Sequence, residues 1–426
     1  MPHHVLPHVL ATLAAVIGLG YVLGRLCRRM GQPAVIGEIL AGIALGPTFL
    51  GMISPEAMHL LLPAAADDSQ GHVRSALKVV AQLGVILYMF LVGLELNGAK
   101  LKHQAGATFG ITVASIAAPF AIGIALAFLL HPVLSDGAPF PSFALFLGAA
   151  MSVTAFPVLA RILEGLGLEK SEVGVLALGC AAADDVLAWC LLAFVVGVAG
   201  SNLNEATATL LGAAAFILMM FVAIRPVMAR VALLHPPVAM PLVFVGVLAA
   251  AVTTDLIGIH AVFGAFLFGV VIPHDSPLAR EFIRKLKDVV TALLLPAFFA
   301  LAGMRTDLHL IADPGNVLIT AGIIAVATVG KFGGAFVASR LSGRDTRTAA
   351  ALGAMMNTRG LMGLIVLDIG LNLGVISPTL YAMMVVMALV TTLATTPILK
   401  RLIPEDSRID DGTRENSKQE LGVPVG

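Results

Sequence analysis

Apolar stretches of about 20 residues recur along this chain, separated by short polar connections. A helix of about that length spans the hydrocarbon layer of a bilayer, where every backbone N–H and C=O must find a partner within the protein. The pattern therefore predicts an all-α integral membrane protein of about 13 transmembrane helices. The stretches fall at residues 6–27, 33–53, 76–97, 105–130, 141–163, 172–200, 206–229, 237–255, 257–273, 289–304, 315–338, 347–373 and 377–399. Asp, Glu, Lys and Arg make up only 12% of the 426 residues, against about 25% in a soluble domain. That supply is too small to cover a water-exposed surface, so a soluble enzyme, a disordered chain and a basic nucleic-acid binder are all excluded. Cys27, Cys180 and Cys190 lie in or beside apolar runs and suggest neither a disulfide framework nor a zinc site. No cofactor is expected, and no metal beyond a transported ion. The opening MPHHVLPHVL lacks a basic leader, so no cleaved signal is expected. Residues 404–426, with the run RIDDGTRENSKQE, read as a disordered cytoplasmic tail.

Basic residues orient the spans, because cytoplasmic loops retain Lys and Arg. Alternate connections hold Arg25, Arg28 and Arg29, then Lys100 and Lys102, Arg161 and Lys170, Arg225 and Arg230, Arg280 to Lys287, and Arg340 to Arg347. The tail adds more. Only Arg74, Lys78 and Arg305 fall near the other face, and Lys331 and Arg359 lie within spans. This predicts a cytoplasmic C-terminus and an external N-terminus. Thirteen spans divide as six, one and six, and the odd span between the two sets would invert the second. Inverted six-helix repeats of this kind bring discontinuous helices together near the midplane to form an ion site. No sequence identity between the halves is evident; helix-breaking features simply occupy the fifth and twelfth spans.

Charges inside the spans mark the candidate site, since an ionisable group at bilayer depth costs several kcal/mol. Asp184 and Asp185, in LGCAAADDVLAWC, sit near the middle of the sixth span. Adjacent helical residues point about 100° apart, so one carboxylate can hold a counter-charge while the other faces a cavity. Lys331, in TVGKFGGAFV, either snorkels to the interface or pairs with Asp184, with Gly330, Gly333 and Gly334 allowing close helix approach. Arg359, in MMNTRGLMG, lies ~18 Å along a helix from Arg347, too deep to snorkel easily. Its neighbours Asn357, Thr358 and Gly360 suit an unwound stretch, where a guanidinium would satisfy freed carbonyls or helix C-terminal dipoles. Pro157, in AMSVTAFPVLAR, removes a backbone hydrogen bond beside Ser152 and Thr154. That segment is either a plain proline kink or a broken helix whose carbonyls and Thr154 ligate a bare cation. Glu38 is a possible funnel residue or is simply solvated. Glu95 and Asp255 lie at span ends, Asp368 has no assigned role, and His260 reads as a packing residue or a proton relay.

At these residues the chain resembles a known family. GEILAGIALGPTFLG, FLVGLELN, AAADDVLAW, IGIHAVFGAFLFG, GMRTDL and NTRGLMGLIVLDIG together resemble the second family of monovalent cation:proton antiporters, and the plant and fungal cation/proton exchangers and Kef-type proteins in particular. The resemblance implies a sodium/hydrogen exchanger-like membrane domain over residues 1–403, usually homodimeric. Dimerisation-type helices would occupy about 6–97 and 237–304, core helices about 105–200 and 315–399, and a linker helix about 206–229. It also implies that Asp185 binds the ion, that Lys331 pairs with Asp184, and that Thr154 and Arg359 belong to the crossed broken helices. Two departures are visible. No GxGxxG follows the membrane part, so the nucleotide-binding domain of Kef-type members is not expected. Gly363, in GLMGLI, stands where plant-type exchangers often have glutamate.

These readings converge on an antiporter, not an enzyme, that exchanges Na⁺ or K⁺ for protons at a carboxylate binding one or the other. Were Lys331 to release its proton as well, two protons would exchange for one cation. Each net charge moved would then be worth about 2.3 kcal/mol per 100 mV. A sodium-coupled organic-solute symporter shares the inverted plan and is the main alternative. An intramembrane aspartyl protease needs its aspartates on separate helices, and a channel needs a filter repeat; neither pattern is present. Monovalent cations, protons and the lipid bilayer are the expected partners, and nucleic acid is not.

Overall fold

The computed structural model describes residues 5–61, 72–95, 105–169, 171–199 and 203–403. The expected tail at 404–426 lies outside these residues, as do Lys100, Lys102 and Lys170. The described chain is helical throughout its regular structure. The long helices are α1 (Val5–Arg29), α2 (Ala34–Leu45), α3 (His72–Glu95), α4 (Ala105–Leu134), α5 (Phe140–Ser152), α6 (Phe156–Gly165) and α7 (Glu172–Ala199). α8 (Leu203–Met219) continues through a π-turn into Arg225–Val231, and is followed by α9 (Pro236–Ile257) and α10 (Ala261–Val271). α11 (Pro277–Val289) runs through a second π-turn into α12 (Leu295–Met304). The remainder are α13 (Pro314–Leu341), α14 (Thr346–Met356), α15 (Leu361–Asn372) and α16 (Pro378–Leu402).

Among the described residues, eleven helices are long and apolar enough to cross a membrane, and the pair α14–α15, bent by 42° at its break, makes a twelfth. The ninth expected span, 257–273, is only the 11-residue α10. Gly258, with φ of 90°, ends α9, and His260 starts α10 in extended backbone, so the two helices stay separate. Residues 280–287, expected as a loop, are helical. Pro277 opens α11 and the Ser276 hydroxyl accepts from the Ala279 amide, while Leu278, Ala279 and Phe282 are buried. Its charged residues ride on the opposite face, which is how a helix can read as polar in sequence.

Two bundles are evident from packing. α1, α2, α3, α9, α10, α11 and α12 form one, and α4 to α7 with α13 to α16 form the other. α8 packs on α7 and on α9 between them.

Reciprocal glycine contacts reveal the inverted repeat. Gly42 of α2 packs on the Ala300 backbone of α12, while Gly303 packs on Ile39. Likewise Gly93 of α3 packs on Phe266 of α10, while Gly269 packs on Phe90. Phe120 of α4 lies over Gly148 of α5 as Phe332 of α13 lies over Gly353 of α14. A methyl group on either glycine would stand 2.9 Å from the ring and 3.0 Å from the phenylalanine carbonyl. With that register known, GAAMSVTAF (148–156) aligns on GAMMNTRGL (353–361), and the Gly37–Gly42 spacing repeats at Gly264–Gly269. The halves are related after all, through a few small residues that the surrounding substitutions hide.

Candidate functional site

The site is built where the two broken helices cross. Val153, Thr154 and Ala155 separate α5 from α6, and Asn357 to Gly360 separate α14 from α15. Pro157 sits in the first turn of α6 rather than mid-helix; a missing N–H is harmless there, so the proline fits a helix start. The breaks are stitched to each other. The Ala155 amide donates to Thr358 O at 3.0 Å, and the Thr154 hydroxyl donates to Met356 O at 3.0 Å. In the equivalent place in the other repeat, Arg359 Nη1 donates to Met151 O at 2.5 Å, Val153 O at 3.1 Å and Ala150 O at 3.3 Å. Thr154 and Arg359 thus occupy matching positions, and each reaches the corresponding methionine carbonyl of the opposite half, Met356 O and Met151 O. The guanidinium neutralises a cluster of carbonyls left open by the break, in a place where water cannot.

Ser152 turns its hydroxyl to Gly148 O and Ile116 O, at 2.7 and 3.1 Å. Its carbonyl accepts from the Lys331 ammonium. Lys331, from α13, also donates to both oxygens of Asp184, at 3.1 and 3.3 Å, and both side chains are fully buried. Asp184 takes a further hydrogen bond from the Thr154 amide at 2.5 Å. It is fully committed. Asp185, one residue along α7, is 1% exposed and lies beside the backbone of Phe156 at the start of α6. Neither of its oxygens has a hydrogen-bond partner among the described residues.

Of the three glycines near Lys331, Gly330 packs on Pro119 and Gly334 on Ala114 and Ala118 of α4. Gly333 faces open space. Asn357 and Thr358 are buried in the second break, and the side-chain carbonyl oxygen of Asn357 lacks a partner among the described residues. Thr358 meets Thr395 of α16 at 3.3 Å. Thr392 clamps the same break, accepting from the Arg359 amide at 2.9 Å and donating to its carbonyl at 2.7 Å. These threonines, in the run TTLATT, were not among the sequence candidates. In the repeat register Thr392 stands where Asp184 stands in the other half, and that symmetry was the available signal.

Glu38 is not at the crossing. It lies in the wall of a cavity of about 940 Å³ between the two bundles, lined by α1, α2 and the segment leading into α12 on one side and by α6 and α16 on the other. Arg28, Arg161 and Lys400 line the same space. Glu95 ends α3 and pairs with Lys287 at 2.8 Å. His260 stacks on Trp189, ring centroids 6.0 Å apart. Asp368 pairs with Arg305.

Comparison with known proteins fits this architecture. Residues 12–402 match the transmembrane region of the sodium/hydrogen exchangers. The chain belongs to the sodium/hydrogen exchanger family. It is 40% identical over 405 residues to the Na⁺/H⁺ antiporter NhaS4 of Synechocystis, an alignment covering 93% of this chain and 97% of NhaS4. It is 34% identical over 406 residues to the K⁺/H⁺ antiporter 1 of Saccharomyces cerevisiae, covering 91% of this chain and 45% of the yeast protein. The chain therefore spans most of the cyanobacterial relative and about half the yeast one. The solved structure of MjNhaP1, a sodium proton antiporter from Methanocaldococcus jannaschii, shares its fold with a TM-score of 0.69 at 15% identity, over 95% of this exchanger chain and 99% of MjNhaP1.

Proposed function

We propose that this exchanger is a secondary active antiporter that trades a monovalent cation, Na⁺ or K⁺, for protons across the membrane by alternating access. Membership in the exchanger family and the antiporter names of its relatives favour this over a sodium-coupled symporter of organic solutes. The observation that carries the site assignment is the contrast between two neighbouring carboxylates: Asp184 is held by the Thr154 amide and the Lys331 ammonium, whereas Asp185 has the Phe156 backbone beside it and no close hydrogen-bond partner among the described residues.

A buried carboxylate with no donor is costly when charged, and a proton or a cation relieves that cost equally well in kind. Asp185 is then the group that carries either ligand but not both. Asp184 stays paired to Lys331 and fixes α7 against the first break. The carbonyls and the Thr154 hydroxyl oxygen around the break supply neutral ligands for a bare cation, while Arg359 holds the opened carbonyls of α5 in place. Core helices carry this site past a static set that includes α1 to α3 and α9 to α12, with α8 as linker. The occupied site crosses the apolar barrier; the empty, charged one does not, and that asymmetry enforces exchange.

Glu38 lies in the wall of the large cavity on the arginine-rich face, and draws cations toward the site. That face is read as cytoplasmic, placing the C-terminus inside and the N-terminus outside. The exposed apolar residues of α9, Val238, Leu242, Val245, Leu248 and Val252 among them, suit lipid or a second copy of the chain, and the functional unit is read as a homodimer in the cell membrane. The test uses purified protein in vesicles loaded with a pH-sensitive dye. Wild type is expected to dissipate a proton gradient on addition of Na⁺ or K⁺ without any organic solute. Asp185→Asn is expected to abolish that flux in a folded protein. Full activity of this variant would overturn the assignment.

A further inference from the structure

The two bundles part on one face and are pinned together on the other. On the arginine-rich face they enclose the cavity of about 940 Å³ that holds Glu38. The broken helices run in opposite senses, so α6 leads from the crossing toward that cavity and α15 leads away from it. On the far side, Asp368 of α15 forms an ion pair with Arg305 at the end of α12. The Tyr381 hydroxyl of α16 donates to Ala302 O of α12 at 3.2 Å. Asn372, one turn beyond Asp368, donates to its second oxygen at 3.0 Å and fixes its rotamer. Both partners of the ion pair keep some contact with solvent, with side chains 36% and 28% exposed. A structural pair deep in one bundle would be dry and would not join two bodies; this one is wet and does.

A smaller cavity of about 310 Å³ opens beside the pair. Arg74 and Lys78 of α3 and Arg305 line it from one bundle, and Asp368 with Leu364 from the other. Among the described residues, Asp368 is the acidic group facing these three cations. Arg74 and Lys78 are one helical turn apart, about 6 Å along α3.

We propose that Asp368 is a latch. Paired with Arg305 it holds the far cleft shut while the large cavity is open, and its release permits the opposite conformation. Lys78 and Arg74 stand next in reach and share its charge when Arg305 is lost or the core shifts. Ion pairs at this exposure are weak singly, which suits a contact that must break in every cycle. The inference rests on the alternating-access reading, and its failure would leave the Asp185 flux test standing.

Accessibility from the two sides measures it. Leu364 is buried beside the latch and Thr396 lines the large cavity. Each is replaced by cysteine in a background lacking Cys27, Cys180 and Cys190. Labelling by a membrane-impermeant maleimide is then timed in vesicles of known orientation. Asp368→Asn is expected to speed labelling of Leu364→Cys from the far side about tenfold, and to slow labelling of Thr396→Cys. Arg305→Gln is expected to do the same more weakly, because Lys78 remains. The exchanged pair Arg305→Asp with Asp368→Arg is expected to return both rates toward the starting values. A purely structural role would lower the unfolding temperature and leave the ratio of the two rates unchanged. That result overturns the latch, as does an Arg305→Gln effect larger than that of Asp368→Asn.

Discussion

Asp184 and Asp185 share a helix, a depth and a side chain, and differ only in what surrounds them. Asp184 is a member of a closed network with Lys331 and the Thr154 amide. Replacing Lys331 alone leaves a buried charge uncompensated, which costs about 3–5 kcal/mol. Lys331→Met is therefore expected to lower the unfolding temperature in detergent markedly. Adding Asp184→Asn in the same chain is expected to recover most of the loss, because the orphaned charge goes with it. Equal stability of the single variant and the wild type would sink the pairing argument. At this scale the sequence was informative wherever a charge interrupted an apolar run, as at Asp184, Asp185, Lys331 and Arg359. It was silent where the side chain was unremarkable or the partner remote. Thr392 and Thr395 pass for ordinary membrane threonines, and nothing local in GMRTDL or VLDIG joins Arg305 to Asp368.

The elements are held by close backbone approach as much as by side chains. Gly333 and Gly334 are neighbours on α13, yet only Gly334 meets α4, where a Cβ would fall 2.6 Å from Ala114 O. Gly334→Val is expected to force α4 and α13 apart and to cost both stability and transport, while Gly333→Val is tolerated. Thermal unfolding of the two variants side by side checks this. A second case lies at the start of α14. Asp345 accepts from the Arg347 and Thr348 amides at 2.9 and 3.1 Å. Its carboxyl is held below the ordinary carboxylate value by the hydrogen bonding from Thr348 and then from the Arg347 amide. A depressed value in the folded state means the cap contributes above the unfolded carboxylate range and is lost as pH falls through the folded value. Amide exchange at Arg347 and Thr348 is expected to quicken, relative to its intrinsic rate, on acidification, and Asp345→Ala to remove that dependence. The breaks at 153–155 and 357–360 were legible from proline, glycine and polar residues in apolar spans. The amphipathic α11 was not, since a helix with one charged face reads as a loop when charge alone is counted.

On the scale of the whole molecule, the cavity of about 940 Å³ lies on the arginine-rich face, while on the other face the Arg305–Asp368 pair bridges the two bundles among the described residues. Thr396→Cys is expected to react with an impermeant maleimide from the arginine-rich face and not from the other. Reaction from both faces at similar rates would contradict a two-state carrier resting in this form. The membrane plan was readable because hydrocarbon imposes a minimum length on every span and basic residues mark one face. The count was less secure, because α10, at 11 residues, is short, whereas the 12-residue α2 runs on as far as Ile53 to complete a span. α10 lies against its opposite-half partner through paired glycines, and a helix sheltered by protein is freed from the length that lipid demands.

The reciprocal contacts Gly42–Ala300 with Gly303–Ile39, and Gly93–Phe266 with Gly269–Phe90, have a consequence for how the chain is made. Related units that face each other this way enter the bilayer upside down with respect to one another. A ribosome feeding them in succession must therefore reverse direction an odd number of times between them, and α8, with Arg225 and Arg230 near its end, supplies the extra crossing. Excising that one helix would leave each half free to insert, but in the same sense. The glycines would then be on the wrong sides to meet, and the two halves of the proposed ion site would never be assembled.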